Sequence, residues 1–175
     1  MIEAAVAASA ASENQRVADV GFGGGIGLQL LLERVGPSGR VDGIDVSPTM
    51  VAQARRTYAA ACAAGTLSAA TGSMLDLPLP DDSLDAAITV NTVYFLDDVT
   101  PALKEFHRVL KPGGRLVIGI GDPAAMARAA VTAHGFHLRS VDDLLEVMTA
   151  RGFVHARAER ATDGRMTPHL LVGQV

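Results

Sequence analysis

Tryptophan is absent from this chain, aromatic residues make up only 4% of it, and cysteine occurs once, as Cys62. A single cysteine excludes an intramolecular disulfide. It sits between Ala61 and Ala63 in a helical stretch, so a buried, inert thiol is expected. No apolar run is long enough to span a bilayer, and the Ala-rich start, Met1 to Ser12, has no basic leader of the secretory kind. Lysine and arginine do not cluster, and the net charge is −4. That balance argues against a surface built to grip nucleic-acid phosphates or an anionic membrane. No G-x-x-x-x-G-K-[ST] occurs, which excludes a P-loop. No Ser-His-Asp order or acid pair marks a hydrolytic site. His134 and His137 have ligand-like spacing but no third Cys, His or acid beside them, so no metal site is expected. Cytoplasm is the default location.

What is present is a glycine cluster in a telling place. Val17 to Val20 is a short apolar run that reads as a buried strand, and Gly21, Gly23, Gly24, Gly25 and Gly27 follow it. Leu28, Leu31, Leu32 and Val35 then fall on one helical face. Strand, glycine turn and helix form the front edge of a nucleotide-binding α/β unit, in which the helix start offers free N–H groups. The dinucleotide pattern G-x-G-x-x-G/A fails in every frame: its sixth position is Ile26, Leu28 or Leu30 when counted from Gly21, Gly23 or Gly25.

The remaining chain alternates strands and helices. Residues 2–12 read as a short helix. Val41 to Val46 is a second strand. Ser47-Pro48 opens a helix, with Ser at the N-cap and Pro at the first position, that runs until Gly65. Weak strand character lies at Leu67 to Ala70 and strong strand character at Asp85 to Val90. A helix from Thr100-Pro101 stops at Lys111-Pro112-Gly113-Gly114, which is expected to be a turn before a central strand, Arg115 to Ile120. Ser140 with Asp143 resembles a capping box with Asp for Glu. His155 to Ala161 and His169 to Val175 flank Asp163-Gly164 and are expected to pair antiparallel. The length suffices for one domain, 1–175. The expected fold is α/β: a doubly wound, mostly parallel seven-stranded sheet of Rossmann-like type with a C-terminal antiparallel hairpin. Ligands bind such sheets outside the carboxyl ends of the strands; Asp19, Asp45, Asn91 and the Gly72–Asp76 loop lie there.

Asp19-x-Gly21-x-Gly23-x-Gly25 resembles motif I of the class I S-adenosylmethionine-dependent methyltransferases, and the likeness extends from about Arg16 to Val175. Val41 to Met50 is similar to the family's second motif. Gly72-Ser73-Met74-Leu75-Asp76-Leu77-Pro78 is similar to its G-D-A-x-x-L-P-F loop, and Leu110-Lys111-Pro112-Gly113-Gly114 to its L-K-P-G-G stretch. The resemblance implies S-adenosyl-L-methionine as cofactor and a small-molecule methyl acceptor as the partner, with N, O, S and C all open as the acceptor atom and a homodimer also open. Asp19, Gly21, Phe22, Gly23 and Gly25 would form the glycine-loop side. Asp45 would take the ribose hydroxyls, with Val46 beside it. Met50 would pack on adenine, and Ser73 and Met74 would serve its edge. Ser73 departs from the family's acid; a hydroxyl accepts a hydrogen bond more weakly than a carboxylate.

Asn91-Thr92-Val93-Tyr94-Phe95-Leu96 occupies the stretch after the fourth strand, near the transferring methyl in the family. It has a superficial likeness to the Asn-Pro-Pro-Tyr of amino-methylating nucleic-acid enzymes, but both prolines are absent. Asn91 is assigned to the cofactor, and Tyr94 and Phe95 are candidate walls of the methyl pocket. Tyr94, His134 and His137 are the candidate catalytic groups. Eighteen residues precede Asp19, so N-terminal cover over the site is expected to be small and the segment 122–139 is expected to act as a lid. A non-catalytic cofactor-binding or subunit-like module is the competing expectation.

Overall fold

Short apolar runs alternating with amphipathic helices dictate a sheet covered on both faces. The structure is a computed structural model describing residues 1–123, 126, 136–161 and 168–175. In chain order its elements are α1 (Ile2–Ala8), β1 (Arg16–Val20), α2 (Ile26–Val35), β2 (Arg40–Asp45), α3 (Pro48–Thr57), α4 (Ala59–Ala64), β3 (Leu67–Thr71) and β4 (Leu84–Val90). A 3₁₀ turn (Val93–Phe95), α5 (Thr100–Val109), β5 (Leu110–Ile120), α6 (Val141–Ala150), β6 (Val154–Arg160) and β7 (His169–Gln174) follow.

The seven strands lie in the order β3-β2-β1-β4-β5-β7-β6. β1 to β5 are mutually parallel, and β7 runs antiparallel between β5 and β6. This is the doubly wound sheet the sequence predicts. The winding reverses between β1 and β4, which opens a crevice at their carboxyl ends.

Side-chain alternation splits the core into two layers. Val17 of β1 packs with Leu28 and Leu31 of α2 and with Val51 and Ala54 of α3. Ala18 and Val20 point the other way, toward Leu103 and Phe106 of α5 and Leu144 and Met148 of α6. The helix starts follow from local chemistry. Ser47 caps α3 by accepting the Met50 N–H at 3.4 Å. Ser140 and Asp143 form the expected reciprocal capping box. Asp98 Oδ1 accepts the Thr100 N–H at 2.8 Å at the start of α5.

Several boundaries differ from expectation. The helix over 2–12 ends at Ala8. Ser9 Oγ bonds back to the Val6 carbonyl at 2.7 Å, and Ala10 takes φ +54°, so the chain turns away. The helix after Ser47 breaks at Tyr58, whose hydroxyl donates to the Gly25 carbonyl at 2.9 Å. That bond draws the ring toward the glycine loop. Cys62 is half-buried rather than buried, because α4 has no buried residue. Lys111-Pro112-Gly113-Gly114 ends α5 but lies within β5. Leu110 pairs with Leu84, the ladder resumes at Arg115 opposite Ala86, and Gly113 N–H donates to the Val175 carbonyl at 2.6 Å. The stretch is thus a bulge rather than a turn. The late strand begins at Val154 and ends at Arg160. Most of the expected lid over 122–139, including His134, lies outside the described residues, as does Asp163-Gly164.

Candidate functional site

Three neighbouring strands end at the crevice, and each brings a polar group. β1 carries Asp19 and runs into a loop whose backbone only glycine adopts readily: Gly21, Gly23 and Gly25 have φ of +75°, +49° and +83°. A Cβ on Gly23 would have no atom within 4 Å, so space stands open above the loop. A Cβ on Gly21 would collide with Thr92, and one on Gly27 with the Asp19 carboxylate. Those two glycines let β1, α2 and the segment after β4 approach closely.

β2 ends in Asp45, which is buried. Its Oδ2 accepts the Gly23 N–H and its Oδ1 the Ser47 N–H, each at 2.9 Å. An ionised carboxylate offers about four acceptor positions, so each oxygen keeps one for a ligand. Asp19 is 4% exposed, and its pKa is pushed up to about 7, first by burial and then by the charge on Asp45. Asn91, just past β4, sits at φ +58°, a conformation asparagine tolerates better than most residues.

Two cavities meet at this point. The larger, about 360 Å³, has Asp45, Val46, Gly72, Ser73 and Met74 on the β2–β3 side and Asn91, Thr92, Phe95 and Leu96 on the β4 side. The smaller, about 180 Å³, is bordered by Asp19, Gly21, Phe22, Gly23, Gly24 and Asn91. Gly21, Val90 and Asn91 border both. Nine of the cofactor-side residues expected from sequence therefore gather in one place. Gly25 and Met50 border neither cavity: Gly25 is the N-cap of α2, and Met50 packs against the layer formed by α1, α2 and α3. Ser73 Oγ accepts the Leu75 N–H at 3.1 Å, which folds the loop after β3 back on itself.

The loop beyond Ser73 and Met74 is fixed from behind. The Arg108 guanidinium donates to the Leu77 and Leu79 carbonyls and to Asp81 and Glu105. Glu105 in turn accepts the Leu77 N–H. Planar, multidentate donation is the property arginine has and lysine lacks.

The candidate catalytic groups are placed less centrally. Tyr94 is buried, which raises its pKa. Its hydroxyl accepts from the Gly121 N–H and reaches Asn91 Oδ1 at 3.5 Å, tying the ends of β5 and β4 together. His137 borders neither cavity; its Nε2 lies 2.8 Å from Asp97 Oδ1 and its N–H donates to the Tyr94 carbonyl. Among the described residues no group of three or more His, Cys, Asp or Glu side chains is placed to hold a metal. Sequence reasoning set Thr92 and Leu96 near the transferring methyl, within the stretch 91–96, but gave neither a role of its own, and it passed over the packing role of Gly27. Gly27 lies in the glycine run, but its packing role needs the position of Asp19.

Residues 18–118 match the family described as "Methyltransferase domain". The chain belongs to that family, the class I S-adenosylmethionine-dependent methyltransferases. Among its relatives is an O-methyltransferase of Aspergillus sclerotiorum, 31% identical over 149 residues, covering 81% of this chain and 56% of that one. A 2-phytyl-1,4-naphtoquinone methyltransferase of Synechococcus elongatus is 37% identical over 114 residues, covering 65% and 49%. The chain thus spans about half the length of these curated relatives. A similar solved structure is an S-adenosylmethionine-dependent methyltransferase from Mesorhizobium loti, with TM-score 0.81 and 22% identity over 100% of this chain and 98% of that one; it shares the fold.

Proposed function

We propose that this chain binds S-adenosyl-L-methionine across the β1–β4 crevice and transfers its methyl group to a small-molecule acceptor. The observation that carries the reading is Asp45: a buried carboxylate at the end of β2, with free acceptor capacity, set between the glycine loop and Ser73-Met74. The donor set fits a nucleoside with a charged tail. Asp45 would hold the ribose hydroxyls, Val46, Ser73 and Met74 the adenine side, and Asp19 with Gly21, Phe22, Gly23 and Asn91 the amino-acid side. Gly25 and Met50 support that arrangement from behind.

When bound, the cofactor supplies an activated methyl on a sulfonium. What the chain contributes is position: a rigid glycine loop, a fixed ribose anchor and a walled approach for the acceptor, which is chiefly a proximity effect. Asp19 adds a carboxyl that a neighbouring cation would ionise. His137, which pairs with Asp97 and borders neither cavity, is the proposed proton acceptor where the acceptor loses a proton; His134 lies outside the described residues. The relatives' O- and naphthoquinone-directed names support a small organic acceptor here. A cytoplasmic enzyme belongs to the proposal, in keeping with a single cysteine. So does the absence of a nucleic-acid ligand, in keeping with the net charge; light scattering would settle whether it forms a homodimer.

Titration calorimetry with S-adenosylmethionine, S-adenosylhomocysteine and NAD(P)H tests the reading. Tight binding of the first two and none of the third is expected. Binding of the nicotinamide alone would replace methyl transfer with a reductase. Cofactor binding without turnover on any acceptor of a metabolite library would favour a non-catalytic module.

A further inference from the structure

The β4 side of the larger cavity carries no charge: Val90, Asn91, Thr92, Phe95 and Leu96 form it, an amide and a hydroxyl among apolar side chains, and Asp45 is the one titratable side chain on the cavity among the described residues. Asp45 stands on the opposite, β2–β3 side, where each oxygen accepts one backbone N–H and, in the proposed reading, the ribose takes the remaining positions. A charged acceptor against the β4 side would therefore lose water there without a counter-ion.

Phe95 stands out on that wall because the residue is 64% exposed yet firmly supported. Its centroid lies 5.0 Å from that of Phe136, which in turn lies 5.6 Å from that of the buried Tyr94. The turn carrying it is held by Arg139, which donates to the carbonyls of Val93, Leu96 and Asp97, and by the His137 N–H on the Tyr94 carbonyl. An exposed phenyl ring braced from beneath is preorganised, so little ordering cost attends a second ring placed against it.

We infer that the acceptor is an uncharged, planar aromatic molecule that stacks on Phe95, with Leu96 packing its edge. This rests on the methyltransferase reading for the identity of the neighbouring cofactor. It distinguishes the site from one for amines, carboxylates or phosphate esters.

The absence of tryptophan leaves a dark background for a fluorescent probe. The full chain, saturated with S-adenosylhomocysteine, is titrated with 2-naphthol at neutral pH, and in parallel with 2-naphthoate and a naphthylmethylammonium salt. Calorimetry with S-adenosylhomocysteine is run separately on the parent and on Phe95→Ala. The neutral probe should bind at least tenfold more tightly than either ion. Phe95→Ala should weaken it at least tenfold, while S-adenosylhomocysteine affinity stays within twofold and the melting curve is unchanged. Phe95→Leu, which keeps apolar bulk without a ring, should recover only part of the loss. Equal or tighter binding of an ion would overturn the inference, as would naphthol binding indifferent to Phe95→Ala. If naphthol binds through Phe95 but S-adenosylhomocysteine does not bind at all, the methyltransferase reading fails and the aromatic site stands.

Discussion

The Asp45 carboxylate holds the Gly23 amide across 22 residues of chain, at 2.9 Å, while its other oxygen holds the Ser47 amide. One side chain thus fixes the glycine loop, the start of α3 and, in our proposal, the ribose of the cofactor. Binding and local order are coupled through a single residue.

Asp45→Ala should therefore show two effects. Charge-assisted hydrogen bonds are worth about 1.5–3 kcal/mol, so S-adenosylmethionine affinity should fall at least tenfold. The bonds to Gly23 and Ser47, made to the same carboxylate, are worth a net of about 1.5–3 kcal/mol each. Melting should drop by roughly 2–4 °C for each kcal/mol lost. Calorimetry and a thermal melt measure both. Unchanged affinity with an ordinary melting curve would remove Asp45 from the site.

Gly23 and Gly27 should separate binding from folding. A side chain at Gly23 meets no protein atom within 4 Å but must adopt φ +49° and occupies the space above the loop. Gly23→Val should abolish cofactor binding at a modest stability cost, on the order of 1–2 kcal/mol from the left-handed backbone. Gly27 has no such φ, yet its Cβ would collide with Asp19. Gly27→Ala should cost about 1–3 kcal/mol from overpacking and lower the melting temperature more than its size suggests. Tight binding by Gly23→Val would reduce the loop to a simple turn.

The fold was legible because its signals are local. The apolar run Val17–Val20, the alternating glycines and the Ser47-Pro48 and Ser140–Asp143 caps each declare an element without reference to the rest. The errors came where tertiary contacts override such signals. Tyr58 looks like one more residue on a helical face, but its bond to Gly25 interrupts the helix. Lys111-Pro112-Gly113-Gly114 looks like a turn, but pairing with Leu84 and Val175 keeps it in the sheet. At the site, the polar residues at strand ends were readable because a doubly wound topology brings such ends together. That the stretch 91–96 lies at the site was readable too, but which of its side chains line the cavity was not, because that follows from where a 3₁₀ turn lands rather than from residue type.

Asp19 should make both stability and binding depend on pH. An unfolded aspartate titrates near roughly 3.9, whereas burial and Asp45 push Asp19 up to about 7. Between those values the folded chain holds the extra proton, so stability falls as pH rises through that window. The contribution is complete below the unfolded value and lost as pH passes about 7. Asp19→Asn removes it, so the melting-temperature difference between parent and variant should change steadily from about pH 4 to about pH 7 and level off above that. A cationic ligand beside Asp19 favours its ionised form. Cofactor binding should then release protons near neutrality, read by calorimetry in two buffers of different ionisation enthalpy, and tighten with pH in the parent only. A pH-independent difference between the two melts would show that Asp19 ionises as freely as an exposed acid.

Tyr94→Phe tests whether the hydroxyl does chemistry or holds structure. The tyrosine is buried, accepts the Gly121 N–H and reaches Asn91, a residue on both cavities. A general acid or base contributes about 10²–10⁴-fold to rate. A positioning residue costs stability first, because the half-buried Gly121 amide loses its acceptor at about 1–3 kcal/mol. The structure favours the second role. Tyr94→Phe should lower the melting temperature by several degrees, raise the KM for S-adenosylmethionine through a loosened Asn91, and reduce kcat less than tenfold. The shape of the pH–rate profile should be unchanged, since no titrating catalytic group has been removed. A fall in kcat of a hundredfold or more, with one limb of that profile lost and melting unaltered, would instead make the Tyr94 hydroxyl the proton-transfer group.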